Sequence, residues 1–178
     1  MKKMYSVILM VALSLTLTGW ALAEPANDDI AAHKSCKYCG MDRGLYNYSR
    51  MLTEYDDGTV AAFCSLHCAA VDTANNIDKT PKAIKVGDFN TRQLIDAERA
   101  FWVVGGSKPG VMSKRGKWAF ENRNSAEEFV KTNRGQIASF EEAMKMAYED
   151  MHDDTKAIRE RRKMKKMQMM QPKPEAGR

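Results

Sequence analysis

Asp57-Gly58-Thr59-Val60-Ala61-Ala62-Phe63-Cys64-Ser65-Leu66-His67-Cys68 reads as a turn, a strand, a cap and the start of a helix. Asp-Gly between apolar runs is a strong short-range hairpin signal. Upstream, Tyr48 to Tyr55 alternates as a first strand should, and Thr59 to Cys64 supplies its partner. Ser65 is a good N-cap for a helix over Leu66 to Asn75. Lys82 to Val86, just past Pro81, reads as a further short strand.

The second half repeats this order. Ala100 to Val104 is a strand of Phe, Trp and Val, followed by Gly105-Gly106 and a loop through Pro109-Gly110. Arg115-Gly116 turns into a strand over Lys117 to Glu121, and Ser125-Ala-Glu-Glu128 is a capping box for a helix ending near Asn133. Gly135 stops that helix, Gln136 to Ala138 is a short strand, and Ser139-Phe-Glu-Glu142 opens a last helix from Phe140 into the Arg159–Lys166 region. Beyond Gln168 the prolines and glycine read as disordered. Turn, strand, aromatic, cap and helix recur in the same sequence, which suggests an internal duplication. The expected fold is α+β: two small ββαβ-like subdomains plus a long C-terminal helix and a disordered tail. The corresponding segments are a signal peptide (1–23), a leader (24–34), a first subdomain with the cysteines (35–92), a second (93–142) and a basic, Met-rich helix and tail (143–178).

Lys2 and Lys3, the apolar run Tyr5 to Leu17 and the small-x-small Ala21-Leu22-Ala23 together read as a cleaved export signal. An uncleaved anchor is the alternative, because the apolar stretch is nearly long enough to span. Trp20 stands where a lipoprotein would need cysteine, so no lipid anchor is expected. The chain carries +5 with a pI near 9.0, but from Lys156 onward nine basic residues face only two acidic ones. The body is therefore weakly acidic and the tail basic. That distribution does not fit a nucleic-acid binder; the tail suits an anionic membrane surface or an acidic partner.

All four cysteines fall in two pairs, Cys36-Lys-Tyr-Cys39 and Cys64-Ser-Leu-His67-Cys68. Cys-x-x-Cys alone is ambiguous. With the second pair, placed at a strand end and the first helical turn, three readings compete. They are a four-thiolate zinc site, a disulfide framework including Cys64–Cys68, and a copper(I) site in which some thiols act with methionine. Helix N-terminal amides lower a thiol's pKa and favour the thiolate that a metal needs, and His67 adds an imidazole there. A thiol redox role is weaker, since no strand and helix frame Cys36 and Cys39 as a redox dithiol requires.

Methionine tilts this toward copper. Ten methionines follow residue 23, and thioethers, like thiolates, are soft donors that select copper(I). Met41 lies two residues from Cys39, and Met112 sits in a Gly/Pro loop with little core to enter. Met144 and Met151 have the spacing of core residues. Met164, Met167, Met169 and Met170 are flanked by charge, which suits either weak copper capture or a partner surface. His33 and His152 read as solvent-exposed.

Cys39-Gly40-Met41, Asp57-Gly58 with Phe63-Cys64-Ser65, Ala97 to Ser107, Gly110-Val-Met112 and Trp118-Ala-Phe120 together resemble the NosL family, the nitrous oxide reductase accessory proteins. The resemblance spans roughly Cys36 to Phe140. It implies a non-enzymatic, exported copper(I) chaperone, similar in fold to organomercurial lyase. Its implied partners are a periplasmic copper enzyme, nitrous oxide reductase, and a membrane ABC-type complex. Carried over by position, the copper ligands are Cys39 and Met112, with Met41 contributing. Cys36, Cys64, Cys68 and His67 would form either an adjoining ligand set or a structural knuckle. The chain departs from the family in lacking a lipidation cysteine, in its extra cysteines and in its Met-rich tail. A structural-zinc adaptor and a thiol redox protein remain the alternatives, with copper(I) the favoured ion and zinc the second.

Overall fold

A computed structural model describes residues 28–170. The expected signal segment and the tail beyond Met170 lie outside the described residues. No helix among the described residues is long and apolar enough to cross a membrane.

The first sheet has the order β2-β1-β3-β4, with β1 at Met51–Tyr55, β2 at Val60–Phe63, β3 at Pro81–Gly87 and β4 at Leu94–Asp96. Met51 pairs with Phe63 on one side and Val86 on the other, all antiparallel. Gly58 takes the left-handed conformation (φ +82) that the Asp57-Gly58 turn requires, and the Asp57 carboxylate accepts the Thr59 amide. Between β2 and β3 runs a helix over Leu66–Asn75, as expected, burying Leu66, Cys68, Ala69 and Ala70.

The second sheet has the order β6-β5-β7, with β5 at Phe101–Val104, β6 at Lys117–Phe120 and β7 at Gln136–Ala138. A helix over Arg123–Asn133 connects β6 to β7. Both sheets thus place the first strand in the centre, its hairpin partner on one side and the post-helical strand on the other. The ββαβ plan read from the sequence is repeated in topology.

The units join through Asp88 and Phe89. The Phe89 amide donates to the Ala119 carbonyl at 2.8 Å, and the Glu121 amide to the Asp88 carboxylate at 2.8 Å. Phe89 also packs against Trp118, Phe120 and Phe129, with ring centroids 5.0–5.6 Å apart. Tyr48 of the first unit completes this aromatic cluster on Phe89 and Trp118. Edge-to-face pairs of this kind add to the burial of large rings.

Four expectations need correction. The part of the leader that is described contains a short helix, α1 (Asp28–Ala32). The helices over Leu66–Asn75 and Arg123–Asn133 are therefore α2 and α3. Asp29 of α1 accepts from buried Arg43 at 2.6 Å and from buried Arg50 at 2.9 Å. A short stretch with little apolar pattern hid this, because the residue that anchors it, Asp29, is an acid. Second, Leu94–Asp96 forms β4 and joins the first sheet, so the sheets divide after Asp96 rather than at residue 92. Third, α3 is capped by Asn122, whose side chain accepts the Ser125 amide at 2.9 Å. Ser125 is inside the helix and its expected capping box does not form. Fourth, the last helix, α4 (Phe140–Met170), carries Met169 and Met170 in helix where disorder was expected. Its start is as read: Ser139 accepts the Glu142 amide, and the Glu142 carboxylate accepts the Ser139 amide.

The capping correction is measurable. Asn122→Ala should lower unfolding stability by about 1 kcal/mol, while Ser125→Ala should change it by only a few tenths. A denaturant series in which Ser125→Ala is the costlier variant would reverse the assignment.

Candidate metal centre

Cys36 and Cys39 come from a tight turn between α1 and β1. The Cys36 amide donates to the Met41 carbonyl at 2.9 Å, and the Gly40 amide to the Cys36 carbonyl at 3.0 Å. Gly40 sits at φ +75, which allows the chain to double back. Cys64 follows the end of β2, and Cys68 lies in the first turn of α2.

The turn is held by residues whose role the sequence did not advertise. The Lys37 amide donates to the Ala62 carbonyl at 3.0 Å. Lys37 Nζ and Tyr38 OH both donate to buried Asp72 on α2, at 2.8 and 2.7 Å, and Tyr55 OH donates to the same carboxylate. Tyr38 stacks on Phe63 at 6.2 Å. Arg43, fully buried, donates from Nε to the Phe63 carbonyl at 3.1 Å, next to Cys64. Buried carboxylates and guanidinium groups at such positions orient ligand loops. An acid within a helix otherwise reads as solvated surface, so only its aromatic and basic partners could have flagged Asp72.

The result is four sulfurs within 4.8 Å of one another. Cys39 and Cys64 are 3.4 Å apart, and Cys64 and Cys68 3.8 Å. All four cysteines are free, which removes the disulfide framework from this state of the protein. Cys36, Cys64 and Cys68 are buried, and only Cys39 is partly exposed. The Cys36 thiol is pushed down by hydrogen bonds from the Cys39, Cys64 and Cys68 thiols, which outweigh burial. Cys39 is raised by its contact with Cys36 but lowered further by Cys64 and Cys68, coming to about 7. Cys64 and Cys68 are pushed up, chiefly by Cys36 and then Cys39. Sulfurs this close cannot all ionise by themselves; a bound cation is what makes four thiolates compatible.

His67 is not part of this group. Its ring turns to the other side of α2, where Nδ1 lies 3.5 Å from the Asp154 carboxylate of α4, both side chains being buried. Burial pushes the His67 pKa down. Nearby, Asp150 pairs with Lys117 and Arg115 at 2.8 Å each. The Asp150 pairs and the Lys114 amide, which donates to Asp154 at 3.2 Å, dock α4 against the 113–117 loop, while His67 Nδ1 and the facing Asp154 oxygen have no hydrogen-bond partner.

Beside the four sulfurs opens a cavity of about 560 Å³ lined by Cys39, Met41, Tyr46, Tyr48, residues 109–112, Ile158, Arg161 and Arg162. Cys39 and Met41 reach it from the first unit, and Met112 from the second. Met112 has a left-handed backbone (φ 62), an uncommon and costly state for a non-glycine residue that functional loops sustain. Gly110 makes room for that loop: a Cβ there would lie 2.5 Å from the Ser113 carbonyl. Met144, Met146 and Met151 pack against the core. Met164, Met167, Met169 and Met170 are exposed on α4, as is His152, while His33 is half-buried.

The NosL family model matches residues 27–148. The chain belongs to the NosL family. Among solved structures it is similar to the copper chaperone NosL from Shewanella denitrificans, at 23% identity and a TM-score of 0.50, over 61% of this chain and 87% of that one. At that identity the likeness speaks for the fold. No functionally curated protein matches. The family match covers Cys39, Met41 and Met112 of the cavity but ends before Ile158, Arg161 and Arg162, so the α4 wall lies outside the matched region.

Asp72 offers a test of the turn. Asp72→Ala frees Lys37 and Tyr38 and should weaken metal binding at the four cysteines, with zinc(II) as the probe ion, by about 10- to 100-fold, the usual cost of losing an outer-shell partner. Competition against a zinc chelator reads this directly, and unaltered affinity would leave the turn without need of Asp72.

Proposed function

We propose that this NosL-family protein is a non-enzymatic, exported carrier of copper(I), with the copper as cargo. It binds at Cys39 and Met112, and Met41 closes the site. What supports the reading is that Cys39 and Met41 of the first unit and Met112 of the second line one open cavity. Two or three soft donors suffice to select copper(I), and the open side leaves room for a recipient's own ligands. Delivery goes to a periplasmic copper enzyme such as nitrous oxide reductase, with a membrane ABC-type complex as a further partner. The basic end of α4 suits contact with either an acidic partner or an anionic membrane surface.

Met112→Leu retains the apolar volume and removes the thioether. It should weaken copper(I) binding, measured against a chromogenic chelator, by at least about tenfold, comparable to or larger than outer-shell losses. Met144→Leu, in the core, should bind as the parent does. Equal affinities for parent and Met112→Leu would move the cargo site elsewhere.

The four-thiol group supports a second reading, a structural-zinc adaptor. It has the ligand number and burial of a closed zinc site.

A further inference from the structure

Beyond Ile158, α4 leaves the body of the protein. Asp154 is its last buried residue, and every residue from Arg159 to Met170 is exposed. At about 1.5 Å per residue, this free rod is about 18 Å long. We propose that the rod is a docking surface for anionic phospholipid, lying on the headgroups of a bilayer through its cations and a Met164–Met167 stripe. The inference rests on the reading above of the basic end of α4, and not on the copper site.

Charge selects this end of the molecule. From Lys156 to Met170 there are seven basic residues and a single acid, Glu160. The ion pairs of α4 end at Asp154. Among the described residues none of the seven cations forms one, so their whole charge is available to a partner. Glu24 to Thr155 carries 17 basic and 21 acidic residues. An anionic plane therefore attracts the rod and repels the body, which fixes the end that docks.

The methionines add an apolar line. Met164 and Met167, three residues apart, share one face of the helix. They are 53% and 54% exposed, with no core to enter. Arg161, three residues before Met164, and Lys163, four before Met167, border the same stripe. In a bilayer interface such stems run along the apolar zone while their charged heads reach the phosphates. Arg159, Arg162, Lys165 and Lys166 continue the charge around the rod. A folded acidic protein presents carboxylates at fixed points and is best met by one charged face. A plane of mobile headgroups needs no such register. Copper capture by these thioethers fits less well, since neutral donors would hold a cation amid seven positive charges. The rod starts at Ile158 on the wall of the open cavity, so docking keeps that opening within about 18 Å of the lipid.

The test uses the metal-free chain from Glu24 onward, which contains every described residue. It is sedimented with vesicles of phosphatidylcholine, either pure or with about a quarter phosphatidylglycerol. The protein should pellet with the anionic vesicles, stay free of the neutral ones, and be released at about 0.5 M salt. A protein that stays free of the anionic vesicles overturns the proposal. The triple variant Lys163→Gln, Lys165→Gln, Lys166→Gln should lower partition on the order of 100-fold, at about fivefold per charge. Unchanged partition overturns the rod as the surface. The exposed control triple Lys82→Gln, Arg99→Gln, Lys131→Gln should partition as the parent does; an equal loss there makes net charge decisive and overturns the assignment to α4. Met164→Gln with Met167→Gln should weaken partition about tenfold, and no change overturns the stripe. Soluble polyglutamate bound as tightly as the anionic vesicles assigns the rod to an acidic protein instead. Failure on both vesicles and polyglutamate ends the contact reading of α4. Because no metal is present, each of these failures leaves the copper reading to its own titration.

Discussion

Asp29→Ala is expected to destabilise the protein by about 3–5 kcal/mol, because it removes the counter-charge that buried Arg43 faces and one that Arg50 faces. Arg43 and Arg50 are both essentially inaccessible to solvent, and Asp29 receives bonds from each. Arg43 reaches further, donating to the carbonyls of His33, Met51 and Phe63. One acid on a five-residue helix therefore ties the N-terminal segment, β1 and the strand end that carries Cys64. Truncation should also be felt at the metal centre, as weaker zinc retention at temperatures below the unfolding transition. Denaturant unfolding of the parent and Asp29→Ala measures the cost, and a difference under about 1 kcal/mol would put this carboxylate among ordinary surface ion pairs.

The same pair carries a pH signature. Burial pushes the Asp29 carboxyl up, but the hydrogen bonds and charges of Arg50 and then Arg43 push it down further, so it ends below its ordinary value of 3.8. A carboxylate lowered on folding contributes stability that is fully present above its unfolded-state pKa. That stability is lost as pH falls through the folded-state value. The gap between parent and Asp29→Ala should thus be constant near neutrality and close in strong acid. A gap that widened in acid would contradict the sign.

Cys39→Ser has the largest expected consequence for metal binding. The substitution removes a soft donor from the cavity and one corner of the four-sulfur group at once. On the copper reading, copper(I) affinity should fall at least about a hundredfold, beyond the range of outer-shell losses, and on the structural-zinc reading zinc(II) should be held more weakly in the same variant. Cys68→Ser separates the two. Cys68 is buried and absent from the cavity lining, so its loss should weaken the divalent ion while the Cys39, Met41 and Met112 donors remain. Paired titrations of both variants with zinc(II) and copper(I) decide the matter. If Cys39→Ser impaired one ion only, the two sites would not share a sulfur.

The repeated ββαβ order was legible because its signals are local. A left-handed glycine in Asp57-Gly58 and apolar residues in Val60–Phe63 each act within a few residues, and Ser65 holds the N-cap position of α2, although its side chain makes no capping hydrogen bond. Strand β4 was not, since Leu94–Asp96 is too short to show a period and exists only by pairing with β3. The cap of α3 went to Asn122 and not Ser125 because helix starts within a run of cap-forming residues are settled by packing of the helix, here through Ala126 and Phe129. His67 lies one residue from Cys68, yet helix geometry turns successive side chains about 100° apart, and it serves the contact with α4.

The amino-acid sequence by itself determined which thiols and thioethers are present as soft donors, that the cysteines fall in two turn-and-helix pairs, and that the chain builds two similar α+β units. Residue type and spacing carry those facts, because they depend on side-chain softness and short-range backbone geometry. Tertiary structure alone decided that Cys39 would belong to both the buried sulfur group and the cavity, that Met112 would face it across the units, and that Asp29 and Asp72 would brace the surroundings. Each of these joins residues distant along the chain, so it depends on how the sheets and helices pack, and no local pattern encodes it.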